Sequence, residues 1–351
     1  MSARTPSVLL VGEFGAGALA LSYARAFQSL GWRTVRYDMT LGYTRGGALA
    51  RRRVLRRALR PALWALMSRE TVALAARERP DLVLSTKAPF LSPRAMRALK
   101  GAAAGPIVMV YPDSPYGTYT QRRDVPAVLA VCDRVYIWSH ALRERLRGDG
   151  VAGAAYLPFA HDPADYGAEG AVGRPACGRR HAITFIGQRY DKREAWLGAL
   201  AGLDVGVWGL GWEGSRLGRE PGVCVHRDGA QGAAAGAIYR GARVALNVLH
   251  EDNLAGHNMR TFEIPPCRTV MLTESTADIE GFFEPDRACL VARDPSSLRA
   301  QAERALRDDD LTRAVADGGV RAGLPHTYRA RAREIVADVV GNRPLVAHGR
   351  G

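Results

Sequence analysis

At 351 residues the chain is longer than one hydrophobic core ordinarily serves, and its 47% hydrophobic content is ample for two. No run of about 18 apolar residues occurs, which argues against a membrane-spanning helix. The five scattered cysteines (Cys132, Cys177, Cys224, Cys267, Cys289) contain no C-x-x-C pair and argue for reduced thiols in the cytoplasm, against a disulfide frame or a zinc site. A formal net charge of +14 favours phosphorylated ligands or anionic surfaces. Nucleic acid is not an expected partner, because no recognised module or interleaved aromatic pattern accompanies the charge.

The opening MSARTPSVLLVGEFGAG enters a strand, Ser7 to Gly12, almost at once and carries no signal-peptide cleavage pattern. A glycine-rich turn, a helix from about Ala18 to Leu30 and a strand ending at Asp38 complete a βαβ unit. Gly12, Gly15 and Gly17 follow G-x-x-G-x-G, not the dinucleotide G-x-G-x-x-G, so a nicotinamide cofactor is not expected. These glycines serve either close approach of a ligand or tight strand–helix packing. From Arg51 to Arg69 seven arginines accompany an apolar stripe (Val54, Leu55, Ala58, Leu59, Ala62, Leu63, Leu66), which reads as a basic amphipathic helix bent near Pro61. It is expected to pack its stripe on the core; attachment to an anionic membrane surface is the other reading. Strands at Asp81–Thr86 and Pro106–Tyr111 follow, the second ending in Pro-Asp-Ser-Pro. Asp113 thus falls just past the carboxyl end of a parallel strand, where open α/β sheets bind ligands, and is a candidate general base as well as an ordinary turn residue. A strand at Arg134–Ser139, a helix at His140–Arg147 and His161, expected to be structural, lead out of the domain.

The Gly-, Pro- and Arg-rich stretch from Ala168 to His181 lacks periodicity and marks a boundary. A new strand, Ala182 to Gly187, runs into QRYDKREAWL, where Arg189 and Lys192 sit at the turn and first helical residues, positioned for a diphosphate; Arg193 can substitute for Lys192. Strands Asp204–Trp212 and Val223–Gly229 follow, with His226 and Arg227 as further candidates for ligand contact and Trp208 and Trp212 expected to pack. A helix from Gly232 to Arg240 and strand Val244–Leu249 deliver the chain to HNMRTFEIPPCRTVMLTES, His257 to Ser275. A helix beginning near Asn258 would offer free N–H groups to an anion. Arg260 and Glu263, three apart, share its face: one suits a phosphate, the other a diol. A plain surface Arg–Glu pair is the competing reading. Asp308–Asp310 reads as a solvated loop rather than a metal motif, and a final helix spans about Thr327 to Val340.

Six segments recur in one order: ITFIGQRYDKREAWL, VWGLGW, IYRGARVALNVLHED, the His257–Ser275 stretch, ADIEGFFEPDRACLVARDPSSL and HTYRARAREI. Together they resemble the C-terminal half of the CgeB-like glycosyltransferases over most of residues 183–335, with a weaker upstream likeness in PDLVLSTKAP and VYPDSPYGTY. The resemblance implies an α/β GT-B fold: two Rossmann-like domains facing each other across a cleft, with the C-terminal helix crossing back to the N-domain. Residues 1–167, with helix 327–345, would form the acceptor domain, and 181–326 the nucleotide-sugar domain. It implies a metal-independent transfer from a nucleotide-diphosphate sugar, UDP favoured and no cofactor, leaning towards retention. The acceptor would be a small molecule, a glycan or a lipid-linked compound. Glu263 would hold the ribose, Arg189 and Lys192 the phosphates, with His257, Asn258 and Arg260 nearby and the Gly12–Gly17 turn lining the cleft.

Two departures stand out. The Glu-x7-Glu pair of many retaining relatives has Ala255 in place of its first member, and Arg268 replaces the glycine that usually follows the cysteine, where φ > 0 would strain an arginine. They keep open a catalytically silent nucleotide-binding or partner subunit. The arginine-rich helix keeps open a transferase at the inner face of the membrane, acting on a lipid-linked acceptor.

Overall fold

The computed structural model describes residues 4–44, 53–117, 124–167, 181–253 and 256–341. Short apolar runs such as SVLLVG, LVLST, IVMVY and VMLTE become strands buried along their whole length. That continuous burial, rather than alternation, is the mark of parallel sheets covered on both faces. Twelve strands form two six-stranded sheets among the described residues: β1 (Ser7–Gly12), β2 (Arg33–Asp38), β3 (Leu82–Thr86), β4 (Ile107–Tyr111), β5 (Arg134–Ile137) and β6 (Ala154–Tyr156), then β7 (Ile183–Ile186), β8 (Val205–Trp208), β9 (Val223–His226), β10 (Val244–Asn247), β11 (Val270–Glu274) and β12 (Leu290–Ala292).

All pairings are parallel, in the orders β2-β1-β3-β4-β5-β6 and β12-β11-β10-β7-β8-β9. Each sheet therefore has one place where successive connections diverge, between β1 and β3 in the first and between β7 and β10 in the second. In open α/β sheets ligands bind beyond the carboxyl ends of the strands at such a point.

The chain divides into two units: one runs to Pro158 and takes in Tyr328 onward, the other is Phe159–Thr327. In the first, helix Tyr328–Val339 returns to helix Leu19–Ser29, where Tyr328 and Tyr23 pack at 5.2 Å. Arg331 donates to the Pro158 carbonyl at 3.0 Å. Asp338 accepts from Arg134 and from the Tyr136 hydroxyl on β5, and the Arg134 guanidinium holds its carboxyl below the usual range. Residues 159–167 go with the second unit rather than the first. Their helix, Pro163–Tyr166, lies against helix Ala233–Arg240, and Arg240 donates to the Asp165 and Gly167 carbonyls at 3.2 and 3.1 Å. The expected linker, with Cys177, lies outside the described residues except for His181, as do Arg51 and Arg52.

The arginine-rich segment is one helix, Arg53–Glu78, assigned straight through Pro61. Of its apolar stripe, the Val54 and Leu55 side chains lie outside the described residues, Leu63 is half-buried, and Ala58, Leu59, Ala62 and Leu66 are exposed rather than packed as expected; burial begins at Met67 and continues at Thr71 and Ala75. The buried face is set by the later half of the helix, at i, i+4, i+8 spacing. No helix among the described residues is long and apolar enough to cross a membrane.

The first glycine of the opening turn has a packing role. A Cβ on Gly12 would lie 2.3 Å from Thr86 Oγ1 and 2.7 Å from Ala20 Cβ, whereas one on Gly15 would meet nothing within 4 Å. Gly12→Ala should lower unfolding free energy by about 1–3 kcal/mol in urea titrations. Gly15→Ala should stay within about 0.5 kcal/mol of the parent. Equal effects of the two substitutions would contradict this packing role.

Candidate functional site

Three cationic side chains gather where the second sheet diverges. Helix Asp191–Gly198 begins shortly after β7 and carries two of them. Lys192 pairs with Glu274, the last residue of β11, at 2.6 Å and reaches the Leu249 carbonyl at 3.4 Å. The other oxygen of Glu274 accepts the Leu249 backbone N–H at 2.5 Å. Arg193 is buried and donates to the carbonyls of Val248 (3.0 Å) and Gln188 (2.9 Å), clamping the segments that follow β10 and β7. Arg260 donates from Nε to the Ile186 carbonyl at the end of β7. Its Nη2 would sit 2.8 Å from a Cβ on Gly187, so a glycine there leaves room for the guanidinium. Arg193 thus fills a framework role, and Lys192 and Arg260 remain as the cations facing the ligand end of the sheet.

A buried polar network supports this end. Asn247 on β10 donates to Thr261 Oγ1 and Thr273 Oγ1, both at 3.2 Å, and accepts from Asn258 Nδ2 at 2.8 Å. Asn258 Oδ1 in turn accepts the Thr261 N–H at 3.2 Å. Such a satisfied network holds one geometry, since each member left unpaired would be costly. It also corrects two expectations. Asn258 does not present its side chain to a ligand, because that side chain fixes the turn. No helix starts there either: the helical segment is the single turn Arg260–Glu263, followed by a 3-10 turn at Pro265–Cys267 that the consecutive prolines initiate.

His257 is likewise internal. It has no exposed surface, lies 3.1 Å from Asp278 through Nδ1, and accepts the Phe159 N–H on Nε2 at 3.2 Å. These partners assign the Nδ1–H tautomer. Phe159, Phe262 and Phe282 surround the ring edge-on, so its expected place among ligand contacts gives way to a structural one.

Glu263 is buried beside Arg260. Burial raises its carboxyl to about 7, against the lowering effect of Arg260 and of a hydrogen bond from Tyr166, while Asp165 adds to the rise. Arg260 also bonds the buried Tyr239 hydroxyl. The i, i+3 pair is therefore part of a buried polar group, unlike an ordinary surface pair.

Arg189 and Lys192 do not converge. Arg189 pairs with Glu194 (2.5 Å) and Asp191 (3.0 Å), and Glu194 also accepts from Ser215 Oγ (2.5 Å) and the Arg216 N–H (2.9 Å). This group lines a cavity of about 530 Å³ with Gly214, Ser215 and Glu220, on the β8 side of the helix. His226, on the edge strand β9, stacks on Trp208 (4.2 Å, 7°) and lies 3.0 Å from His181 Nε2, which ties it to that strand pair.

In the first unit Gly12 ends β1 at the divergence point of its sheet, Gly15 and Gly17 follow, and Gly17 takes φ +71°. Asp113, after β4, is ion-paired with Lys87, which follows β3 and has φ +46°. Lys87 lies in the PDLVLSTKAP segment, which does not itself single it out as a site residue. Its backbone conformation and partner become visible only when β3 and β4 lie side by side.

Arg268 adopts the left-handed conformation, φ +58° and ψ +41°, so the turn keeps the shape that usually calls for glycine; its side chain reaches Asp317 at 3.2 Å. His161 is buried and its N–H bonds the His326 carbonyl at 3.0 Å. Asp308 caps helix Asp309–Gly323 by accepting the Leu311 N–H, so the triple-Asp run is a helix start rather than a loop. Ala255 lies outside the described residues.

Comparison with known proteins accords with this geometry. Residues 189–337 match the family model described as Glycosyl transferase-like. Anabaena Alr3699/HepE, solved in complex with UDP-glucose, is similar at TM-score 0.66 and 10% identity, over 95% of this chain and 100% of that one. Sucrose-phosphate synthase from Thermosynechococcus elongatus gives 0.66 and 14%, over 95% and 97%. Trehalose 6-phosphate synthase from Burkholderia multivorans gives 0.64 and 16%, over 95% and 96%. No curated protein matches the chain by sequence. At these identities the likeness is one of fold, and the fold is GT-B. The family match lies within the second unit and runs on into the final helix.

The raised Glu263 carboxyl has a consequence for stability. The folded chain keeps a proton there that the unfolded chain releases above about pH 4.5, so this contribution is complete below 4.5 and fades as pH rises to about 7. Across that window wild type should lose about 3 kcal/mol relative to Glu263→Gln, measured by urea unfolding at several pH values. Parallel pH profiles for the two proteins would contradict a buried, proton-holding Glu263.

Proposed function

We propose that this chain is a glycosyltransferase, CgeB-like within its class, which takes its sugar from a nucleotide-diphosphate donor bound beyond the carboxyl ends of β7, β10 and β11. The observation that carries this reading is the pair of cations, Lys192 and Arg260, at the divergence point of the second sheet. Lys192 would meet the diphosphate on release from Glu274, and Arg260 would meet it beside Gly187. Glu263 would receive the ribose hydroxyls, its burial keeping water from competing for them. UDP is favoured as the nucleotide, in line with the UDP-glucose bound to the Anabaena structure. The chemical work is to break the bond between the anomeric carbon and the diphosphate. Its electron pair leaves with a diphosphate whose growing charge two preorganised cations stabilise. No metal or cofactor is required for that role. Asp113 is held in an ion pair with Lys87 rather than left free to meet an acceptor hydroxyl, which favours retention of anomeric configuration.

A panel of UDP-, GDP-, dTDP- and CMP-sugars, titrated calorimetrically, tests the donor site. One diphosphate sugar should bind. Lys192→Gln should weaken it about ten- to a hundredfold, as loss of a charged hydrogen bond implies, and Glu263→Ala should abolish it. Absence of binding to well-folded protein would overturn the donor site. Binding without transfer to any acceptor would favour the silent-subunit reading instead.

A second reading concerns the acceptor. Leu59 and Leu66 are exposed on helix Arg53–Glu78 beside Arg60 and Arg69, and the same helix borders a cavity of about 770 Å³ lined by Trp64, Val72 and Phe90. An apolar surface fringed with arginine suits a lipid-linked acceptor on an anionic membrane. The chain should float with vesicles containing anionic lipid and not with neutral ones, and Leu59→Ser with Leu66→Ser should release it. Equal flotation of the variant would leave only a diffuse charge effect.

A further inference from the structure

The start of β7 and the edge strand β9 bring together a group of side chains that the donor site does not use. The ligand atoms of His181, Cys224 and His226 all lie within 4.8 Å of one another, and the two Nε2 atoms are 3.0 Å apart. Cys224 and His226 stand two apart on β9, so both project from one face of the sheet. His181 comes from the far side of β8, and reaches them because β8 carries Gly206 at the crossing point. A Cβ there would lie 2.4 Å from His181 Cδ2 and 2.5 Å from Trp208 Cη2. The Trp208 ring stacks on His226 and forms the wall of the site.

The orientation of His181 is set from outside. Asp204 lies 2.7 Å from Nδ1 with one oxygen, and its other oxygen accepts the Ala182 N–H at 3.0 Å. The carboxylate therefore accepts a hydrogen bond from Nδ1–H, and the lone pair of Nε2 points at His226 and Cys224. A carboxylate behind a buried imidazole is the arrangement that fixes the tautomer of metal-ligating histidines. Two imidazoles and a thiol are the donors that a borderline-soft cation prefers over the hard cations bound by oxygen.

We propose that His181, Cys224 and His226 form a binding site for a zinc-class divalent cation, with a fourth position left to water. Ideal bonds to such an ion place two imidazole nitrogens about 3.3 Å apart and a nitrogen and a sulfur about 3.6 Å apart, so modest rotations of Cys224 and His226 complete the site. Binding exchanges one proton: the Cys224 thiol releases it to solvent and the thiolate sulfur becomes a ligand. The hydrogen between the two imidazoles moves to Nδ1 of His226, so both Nε2 atoms donate to the metal. The ion would tie β9 to the start of β7 across β8. It would sit on the side of β7 away from β10.

The wild-type chain supplies the primary test. Zn²⁺ at one equivalent above the protein should slow alkylation of Cys224 at least tenfold, followed by peptide mass spectrometry. Co²⁺ should develop a thiolate charge-transfer band and tetrahedral visible bands that saturate at one equivalent. His226→Gln should lose both effects. An unchanged alkylation rate for Cys224 in wild type overturns the proposal, and leaves the three side chains as a hydrogen-bonded cluster only. So does a cobalt spectrum that persists in Cys224→Ser. Because the alkylation arm uses unaltered protein, a variant that fails to fold does not decide the matter.

Discussion

The second unit depends on how the backbone carbonyls beyond β7 and β10 are satisfied. Two parallel strands whose connections run in opposite directions leave a crevice, and the chain bordering it exposes Ile186, Gln188, Val248 and Leu249 carbonyls. Unpaired and partly buried, each would carry a real cost. Arg260, Arg193 and Lys192 meet them in turn. A structural requirement thus concentrates positive charge at the place where a parallel sheet binds ligands, and the carboxyl groups of Glu274 and, beside Arg260, Glu263 offset only part of it. Lys192 and Arg260 belong to the framework as well as to the proposed anion site.

Behind this layer, the Asn247, Asn258, Thr261 and Thr273 network joins β10 and β11 to the Arg260 turn, and His257 anchors that turn against Asp278 and three phenylalanines. The turn cannot slide without breaking several buried hydrogen bonds together. Arg268 closes the same segment in a left-handed conformation that an arginine bears at some cost. Arg260 and Glu263 are therefore presented from a rigid base, as preorganised electrostatic stabilisation requires.

The two sheets were legible from the sequence because buried parallel strands write themselves as unbroken apolar runs. SVLLVG, IVMVY and VMLTE stand out against charged helices and glycine turns. Arg260, Glu263 and Lys192 stand out as candidates for a different reason, since they sit in segments whose order is specific. What escaped was decided by partners distant in sequence. Asn258 reads as a ligand contact until Asn247 is seen to hold it, and Arg189 reads as a twin of Lys192 until Glu194 and Ser215 draw it to the other side of the helix. Glu274 looked like no more than a strand terminus, and Lys87 gains its partner Asp113 only once β3 and β4 lie side by side. His181 and Cys224 come from separate strands, and only the bare backbone at Gly206 lets them meet. The exposed stripe of helix Arg53–Glu78 misled for the opposite reason: helical periodicity identifies an apolar face and leaves open whether anything covers it.

A structure of the chain with a bound UDP-sugar, or with UDP alone, tests the central claim most directly. The diphosphate should lie between Lys192 and Arg260 beside Gly187, with Lys192 drawn from Glu274 and the ribose hydroxyls on Glu263. A diphosphate bound instead by Arg189 in the cavity beside Ser215, with the Lys192–Glu274 pair intact, would contradict it.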